Sequence, residues 1–411
     1  MAERVTSEHL LSELRERAAA ELREDILPFW ERWAFDSDGW LVGSVRDDLS
    51  IDDDVPRHSV IIARILWTFA AAAGAEQDPA QRERWLVVGR QALALLTGPC
   101  WDSANGGVFW SLDPARRPLS DRKQVYAQGF AIYGLSEWYD ATADAAALTA
   151  AWQLFDLIET HSRDHENGGY IEAHARDWGP LADMALSERD LNVPKSMNTN
   201  LHVLEAYTNL LRVTGDERAR AALADVLRVS LDHIVGYEPR AHCKLFFDLE
   251  WNSVVPTISY GHDIEASWLL WEAADAVGDE QLSSRARGTA LDLADAVLEH
   301  GVDADGSVLY EAVGDAVTDG LKHWWPQAEG VVGWLNAYQL TGRTRYRDAA
   351  LKLWSYIEDH VVDHERGEWF AVLDRHGNPM PDHPASCKIG PWKCPYHDGR
   401  VCLEVMRRIG S

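Results

Sequence analysis

A phrase rich in Asp and Gly, which ends in aromatic or apolar residues, returns along this chain about every sixty to seventy residues. Its clear copies begin at Asp36, Asp102, Asp164, Asp303 and Asp363. The spacings are 66, 62, 139 and 60 positions, so one copy is missing from the long interval. The degenerate stretch Cys243–Leu249 lies there and is the predicted sixth copy. Six units in 411 residues predict a closed, six-fold architecture, because such repeats bury their apolar faces against one another.

The segments between these phrases carry apolar residues at three- and four-residue steps, which is the pattern of amphipathic helices. Twelve helices in six pairs are predicted over Leu10–Trp33, Ser59–Ala73, Gln81–Leu96, Gln124–Tyr139, Ala145–His161, Met197–Val213, Glu217–Ile234, Asp263–Val277, Gln281–His300, Gln327–Leu340, Arg343–His360 and Tyr396–Ile409. We therefore expect an all-α fold, an (α/α)6 barrel of six helix hairpins. Because each unit needs its neighbours, residues 1–411 are expected to form a single catalytic domain.

The repeated phrases are predicted to be short β-hairpins at one mouth of the barrel, where alternating aromatic and polar residues follow an Asp- and Gly-rich turn. Turn chemistry accounts for these Asp and Gly residues, so no further role is assigned to them. The stretch from Arg176 to Ser196 has no clear periodicity. We expect it to be a loop that covers the centre of the ring.

Composition excludes several classes of partner. The net charge of −27 repels nucleic acid and anionic lipid, so neither is an expected partner. Five scattered cysteines without a CxxC pair fit a reducing cytoplasm better than a disulfide framework. No signal peptide is recognisable from Met1 to Leu10, and no run of about 18 apolar residues occurs. A cytoplasmic location is therefore expected, and the oligomeric state stays open.

Polar residues gather at the starts of the predicted inner helices. They are Arg64, Lys123, Tyr126, Asn198, His202, His262, Glu265, Trp325, Gln327, Glu329, Trp392, His397 and Arg400. His262 and Glu265 are three positions apart and share a helix face, so the carboxylate is expected to orient the imidazole. Histidines from three different repeats near one axis indicate a shared polar pocket rather than packing.

Other chemistries are weaker alternatives. His202, His262, Glu265 and His397 could bind a divalent ion, but no HExxH-type motif is present. A serine nucleophile lacks the GxSxG elbow, and no glycine motif for nucleotides occurs. Glu265 and Glu329 could serve a glycoside hydrolase, which needs two carboxylates but not several histidines. A non-catalytic sugar-binding protein would need the tryptophans without paired histidines.

Four segments together resemble the cellobiose 2-epimerase family, which belongs to the N-acylglucosamine 2-epimerase superfamily. They are Lys195–Thr208, Ser259–Trp268, Trp324–Glu329 and Pro391–His397, and Arg64–Phe69 and Val125–Gln128 extend the match. The resemblance covers about Phe29 to Ile409. It implies an (α/α)6 barrel and a chemistry that needs no metal or other cofactor.

The resemblance also implies roles for individual residues. The two acid/base histidines of the family fall on His262 and His397, and its supporting glutamate on Glu265. Its sugar-binding residues fall on Arg64, Tyr126, Asn198, His202, Trp325, Glu329 and Trp392, with Asp190 in the long loop as a further match.

The implied function is sugar 2-epimerisation. The expected substrate is a small sugar, a cellobiose-type β-1,4 disaccharide, whose reducing-end aldose is inverted at C2. Opening of the ring makes the C2 hydrogen acidic, and two imidazoles on opposite faces exchange the proton through an enediolate. The alternative is a monosaccharide enzyme, either a mannose 2-epimerase or a mannose–fructose isomerase.

Overall fold

The structure is a computed structural model that describes residues 2–188 and 190–410, with side chains described from residue 7 onward. Met1, Arg189 in the predicted long loop, and Ser411 lie outside the described residues. The helices are Ala2–Ala20 (α1), Leu27–Trp33 (α2), Ser59–Ala75 (α3), Pro79–Thr97 (α4), Val125–Thr142 (α5), Ala145–His161 (α6), Met197–Thr214 (α7), Glu217–Val229 (α8), Tyr260–Val277 (α9), Glu280–His300 (α10), Trp324–Thr341 (α11), Thr344–Tyr356 (α12) and His397–Arg408 (α13).

Six of these helices close an inner ring. Each of α3, α5, α7, α9, α11 and α13 packs against the next, and α13 returns to α3. The continuous pair α1 and α2, joined by the π-helical turn Glu21–Ile26, lies outside with α4, α6, α8, α10 and α12. The predicted (α/α)6 barrel is therefore confirmed. None of the helices in the described part of the chain combines the length and apolarity that crossing a bilayer needs.

A repeated turn joins each inner helix to its outer partner. The inner helices α7, α9 and α11 end at Gly215, Gly278 and Gly342, all with left-handed backbone. An Asp side chain then caps each of α4, α6, α8 and α10 by accepting a backbone N–H of the first turn. The glycines end the inner helices and the Asp caps begin the outer ones, at the mouth opposite the hairpins.

Short antiparallel strands line the other mouth. They are Ser44–Val45 (β1), Ile51–Asp52 (β2), Arg57–His58 (β3), Ser111–Leu112 (β4), Pro118–Ser120 (β5), Lys123–Gln124 (β6), Ala173–His174 (β7), Lys195–Ser196 (β8), Val235–Gly236 (β9), His242–Cys243 (β10), Phe246–Phe247 (β11), Thr257–Ser259 (β12), Glu311–Val313 (β13), Ala316–Asp319 (β14), Lys322–His323 (β15) and Val372–Leu373 (β16). The strand before each of five inner helices pairs with a strand of the following unit, in β3–β4, β6–β7, β8–β11, β12–β13 and β15–β16. This pairing fixes the inner-helix starts side by side around one opening.

All five clear phrases form tight hairpins, which confirms that prediction. The sixth copy, however, is Val235–Cys243 and not Cys243–Leu249. Lys244 donates its N–H to Ile234 O across the base of that hairpin, just as Phe109 donates to Cys100 O in the second copy. The segment predicted as the sixth copy instead begins the second hairpin of the same unit, through β11.

The Asp residues of the phrases do more than make turns, so that part of the prediction is wrong. Four of them form ion pairs with lysines whose side chains are fully buried, in the pairs Lys123–Asp102, Lys195–Asp164, Lys322–Asp303 and Lys388–Asp363. Three of these lysines lie two residues before an inner helix. The ion pairs therefore tether each hairpin to the helix start that it precedes.

The unit without the Asp also lacks the lysine. Gly236 stands at the Asp position of the sixth copy, and the buried Ile258, two residues before α9, stands at the lysine position. In this unit Asp263 secures the hairpin by accepting the Cys243 N–H, where Gln128 and Gln327 accept from Val108 and Val308 in their own units. This hairpin is therefore held to its inner helix without a lysine–aspartate pair at these two positions.

Replacing Lys195 by Met should destabilise the fold, because Asp164 and the carbonyls of Gly168 and Leu249 would lose their buried donor. We expect the free energy of unfolding in urea to fall by about 3 kcal/mol. The control is Arg285→Met, which removes the exposed pair with Asp232 and should cost less than about 1 kcal/mol. Equal losses in the two variants would contradict a structural role for the tethers.

Candidate active site

His397 begins α13 and is held by a carboxylate from α11. Its Nδ1 lies 2.7 Å from Glu329 Oε1, and the other oxygen of Glu329 accepts from Trp268 Nε1 at 3.0 Å. Burial lowers the pKa of His397 to about 3 although Glu329 opposes the shift. Burial alone would raise the pKa of Glu329, but Arg400 and His397 outweigh it and hold this pKa at about 2. At neutral pH the pair is a neutral imidazole beside a carboxylate.

His262 is the third residue of α9 and faces the same indole as His397. Its ring centroid lies 4.7 Å from that of Trp325, which is 5.6 Å from the ring of His397. Gly261 permits this approach, because a Cβ there would lie 2.5 Å from Trp325 Cη2. Burial, with the charge of His202, lowers the pKa of His262 to about 3. Both imidazoles are therefore uncharged bases next to Trp325.

The predicted orientation of His262 by Glu265 is not what the structure has. His262 Nδ1 lies 2.8 Å from Ser259 Oγ, while Glu265 Oε1 accepts from Arg400 Nη2 at 2.6 Å. The spacing of three residues places His262 and Glu265 on one helix face, but the Glu265 carboxylate binds the cationic Arg400 of α13 instead of the imidazole. Burial, with the charge of Glu329, raises the pKa of Glu265 to about 8.

Arg400 is the centre of the charged network. Its Nη2 donates to Glu265 and Glu329 at 2.6 Å each, and its Nη1 donates to Glu205 and contacts the Tyr396 hydroxyl. All these side chains are buried. One guanidinium thus connects α7, α9, α11 and α13 beneath the two histidines.

The Arg400 guanidinium also occupies the one group of side chains in the described residues that could hold a metal ion. Glu265, Glu329 and His397 offer ligand atoms within 4.8 Å of one another. Arg400 Nη2, however, hydrogen-bonds both carboxylates and stands where a cation would bind. Of the other metal ligands considered from sequence, His202 pairs with Glu205 and His262 with Ser259. This donor set fits an arginine better than a divalent ion.

A second cation, Arg64, lies among aromatic rings. Its Nη2 donates to the Tyr126 hydroxyl at 2.7 Å, and its guanidinium carbon is 4.1 Å from the Phe130 ring centroid. Within the described residues no carboxylate forms an ion pair with it. Tyr126 also packs edge-on against His202 at 5.1 Å, and His202 Nδ1 lies 2.8 Å from Glu205 Oε2. Arg64, Tyr126 and His202 therefore form one group, as predicted.

The remaining predicted residues lie nearer the rim. Trp392 is 37% exposed and packs against Tyr126 and Trp110, at centroid distances of 6.1 and 6.2 Å. Asn198 has a buried Oδ1 without a hydrogen-bond partner. Asp190 contacts the Ser187 hydroxyl, and burial raises its pKa. No described contact joins Asp190 or Asn198 to the histidines.

Three hydrogen-bonding partners in this site were not predicted from the sequence, and two of the predicted site residues have a structural role instead. Glu205, Ser259 and Tyr396 were not selected, although Glu205 follows His202 at the same three-residue spacing that drew attention to Glu265. Lys123 and Gln327, gathered as candidate site residues, instead hold hairpins.

Comparisons with known proteins identify the family of this chain. The family model of N-acylglucosamine 2-epimerase (GlcNAc 2-epimerase) matches residues 41–389. A cellobiose 2-epimerase from Bacteroides fragilis is 41% identical over 395 residues, which cover 96% of this chain and 98% of the relative. The chain belongs to the cellobiose 2-epimerase family. It is accordingly a carbohydrate epimerase, an enzyme of the isomerase class.

Solved structures place the epimerase in the same fold. A cellobiose 2-epimerase from Bacillus thermoamylovorans has a TM-score of 0.89 at 35% identity, covering 97% of this chain and 100% of the other. The enzyme from Spirochaeta thermophila has a TM-score of 0.87 at 39% identity, with 97% of both chains covered. A D-mannose isomerase at 20% identity, with 95% of this chain and 97% of the other covered, has a TM-score of 0.81 and shares the fold.

The depressed pKa of His397 predicts a pH dependence of stability. Unfolded histidine takes up a proton below about pH 6.5, whereas His397 in the folded epimerase stays neutral down to about 3. The unfolded state then binds more protons, so the free energy of unfolding should decrease as the pH is lowered from about 6.5 to about 3. His397 alone should contribute up to about 1.4 kcal/mol per pH unit.

Urea unfolding at pH 6 and pH 5 would measure this contribution. The variant His397→Asn should have a shallower pH slope than the parent, and the exposed His376→Asn should keep the parental slope. An unchanged slope in His397→Asn would contradict a buried neutral imidazole.

Proposed function

We propose that this epimerase inverts C2 of the reducing-end aldose of cellobiose-type β-1,4 disaccharides, through ring opening and proton transfer between two histidines. The observation that carries the proposal is the placement of two imidazoles, the half-buried His262 and the buried His397, against one indole, Trp325. In each ring Nδ1 is engaged by a protein oxygen, and Nε2 has no protein partner within the described residues. These two Nε2 atoms are the proposed proton carriers.

The chemistry requires an open-chain aldehyde. Its carbonyl makes the C2 hydrogen acidic, and removal of this proton leaves an enediolate. One imidazole removes the proton from one face, and the other, carrying a proton, delivers it to the opposite face. The two imidazoles together thus carry one extra proton before and after each exchange. Before the exchange it is on one histidine, and afterwards the other histidine is protonated.

The two histidines are unequal in this exchange. An imidazolium at His397 would be stabilised by the Glu329 carboxylate at 2.7 Å, whereas His262 has only the neutral hydroxyl of Ser259. His397 is therefore the better site for the resting proton. Burial opposes charge on either ring, so the negative charge of the enediolate must help to hold the proton while the sugar is bound.

The enediolate oxygens need positive charge and hydrogen-bond donors. Arg64 supplies a buried guanidinium without a carboxylate partner among the described residues, and it already orders Tyr126 through a 2.7 Å hydrogen bond. A fixed cation in a water-poor site stabilises developing negative charge strongly. We assign this role to Arg64 with Tyr126, and a supporting role to His202.

The preference for a disaccharide rests on the rim. Trp392 is exposed and packs on the buried rings of Trp110 and Tyr126, and aromatic faces are suited to pyranose rings. The relatives from Bacteroides fragilis and Dictyoglomus turgidum, 41% and 35% identical, are both cellobiose 2-epimerases. A D-mannose isomerase from Marinomonas mediterranea is 24% identical, so a monosaccharide substrate is the second candidate.

A hydrolytic function is disfavoured by the same contacts. Glu265 and Glu329 both bind Arg400 Nη2 and are 1% exposed. Two carboxylates tied to one guanidinium beneath the histidines are not placed to flank a scissile bond.

Cellobiose incubated in heavy water should give the mannose epimer with deuterium at C2 of the epimerised residue. The reason is that the returning proton comes from an imidazole that exchanges with solvent. Mass spectrometry and NMR of the product measure this. Epimer without solvent deuterium would contradict the two-histidine route, and parallel assays on mannose and glucose would reveal a monosaccharide enzyme.

His262→Ala and His397→Ala should each abolish epimerisation, because each removes one of the two carriers. Glu265→Gln should reduce the rate less, since Glu265 hydrogen-bonds Arg400 and is not one of the two proposed proton carriers. Turnover assays test the losses, and circular dichroism checks that the fold survives. Near-normal activity in either alanine variant would reject the assignment.

A further inference from the structure

Arg122 is an arginine for which the fold provides no partner. It precedes β6 at the mouth, and within the described residues it makes neither a hydrogen bond nor an ion pair. Its Nε is buried without an acceptor. Because burial lowers the pKa of this guanidinium, its placement costs stability. A buried donor left unpaired in the free protein requires an explanation.

Its position is defined by Trp110. The Arg122 guanidinium carbon lies 5.5 Å from the centroid of the Trp110 ring. Trp110 packs against Trp392, and Trp392 packs against Tyr126, which hydrogen-bonds Arg64. A chain of aromatic contacts therefore leads outward from the reaction centre to Arg122. If the proposed function holds, the second ring of a bound disaccharide would lie at this end of the chain of contacts, beside the exposed Trp392.

The surroundings indicate which chemical group Arg122 would bind. Asp183 and Glu172 act on its charge without hydrogen-bonding it, and Glu172 Oε2 is buried without a partner. Free donors and free acceptors at one place suit hydroxyl groups, since each hydroxyl both accepts and donates. An anionic substituent offers only acceptors and would be repelled by the two acids. The site therefore fits a neutral sugar.

We infer that Arg122 is a specificity-determining residue, whose forked N–H groups bind hydroxyls of the non-reacting sugar ring while its planar face lies over Trp110. This inference rests on the proposed function and adds to it the residue that distinguishes two rings from one. A contact made equally in the ground and transition states strengthens binding without accelerating the chemistry. Loss of Arg122 should consequently raise KM and leave kcat nearly unchanged.

The test compares Arg122→Met with the parent on cellobiose and on mannose. Methionine keeps the apolar stem over Trp110 and removes the donors. We expect kcat/KM for cellobiose to fall about 10- to 100-fold, the range for lost hydrogen bonds to a charged group. The value for mannose should stay within about two-fold. Where mannose turns over too slowly, its inhibition constant against cellobiose replaces the rate.

The matched control is Arg116→Met. Arg116 also lies over a tryptophan, Trp40, at 5.1 Å, but it is exposed on the surface. Arg116→Met should change kcat/KM for neither cellobiose nor mannose. Thermal unfolding of both variants checks that the fold is intact.

The outcomes separate the two claims. Suppose that the parent enzyme epimerises cellobiose. If Arg122→Met then leaves kcat/KM unchanged, or lowers it equally for cellobiose and mannose, the role of Arg122 is overturned and the proposed function stands. A fall in kcat without a rise in KM would also overturn it. A parent enzyme that turns over mannose but no disaccharide overturns both.

Discussion

The active centre depends on one buried guanidinium. Arg400 comes from the last helix and hydrogen-bonds carboxylates on α7, α9 and α11. A buried arginine with several carboxylates is stable only when every partner is present, because each lost partner leaves an uncompensated charge. The helices that carry His202, His262 and His397 are therefore held in register by a shared electrostatic contact rather than by apolar packing alone.

This network also sets the charge state of the pocket before a sugar binds. Glu205 and Glu329 are ionised at pH 7 and balance Arg400 and Arg64, and burial keeps His262 and His397 neutral, so the one proton that the proposed exchange needs must be taken up together with the sugar. In that proposed exchange, proton transfer from C2 to a histidine creates an anion and a cation together, so the net charge of the pocket does not change. Such pairing limits the electrostatic cost of forming charge in a buried site.

Much of this could be predicted from the sequence, because helix periodicity and repeated turns are local signals. The barrel and the gathering of Arg64, Tyr126 and His202 follow from them. The partner of Glu265 could not be predicted, since Arg400 lies 135 positions away and a shared helix face does not determine which neighbour binds. The sixth repeat was misplaced because Gly236 stands where the other copies have Asp, and the aromatic residues that remain recognisable belong to the next hairpin.

The unit that presents His262 differs from its two neighbours in the residues that join its hairpin to its inner helix. In the units of α7 and α11 a buried lysine and an aspartate make this connection, so the loss of either residue leaves the charge of the other without its partner. Gly236 and Ile258 stand at these two positions in the unit of α9, and neither carries a charge. The segment that delivers His262 can therefore change at one of these positions without a compensating change of charge at the other.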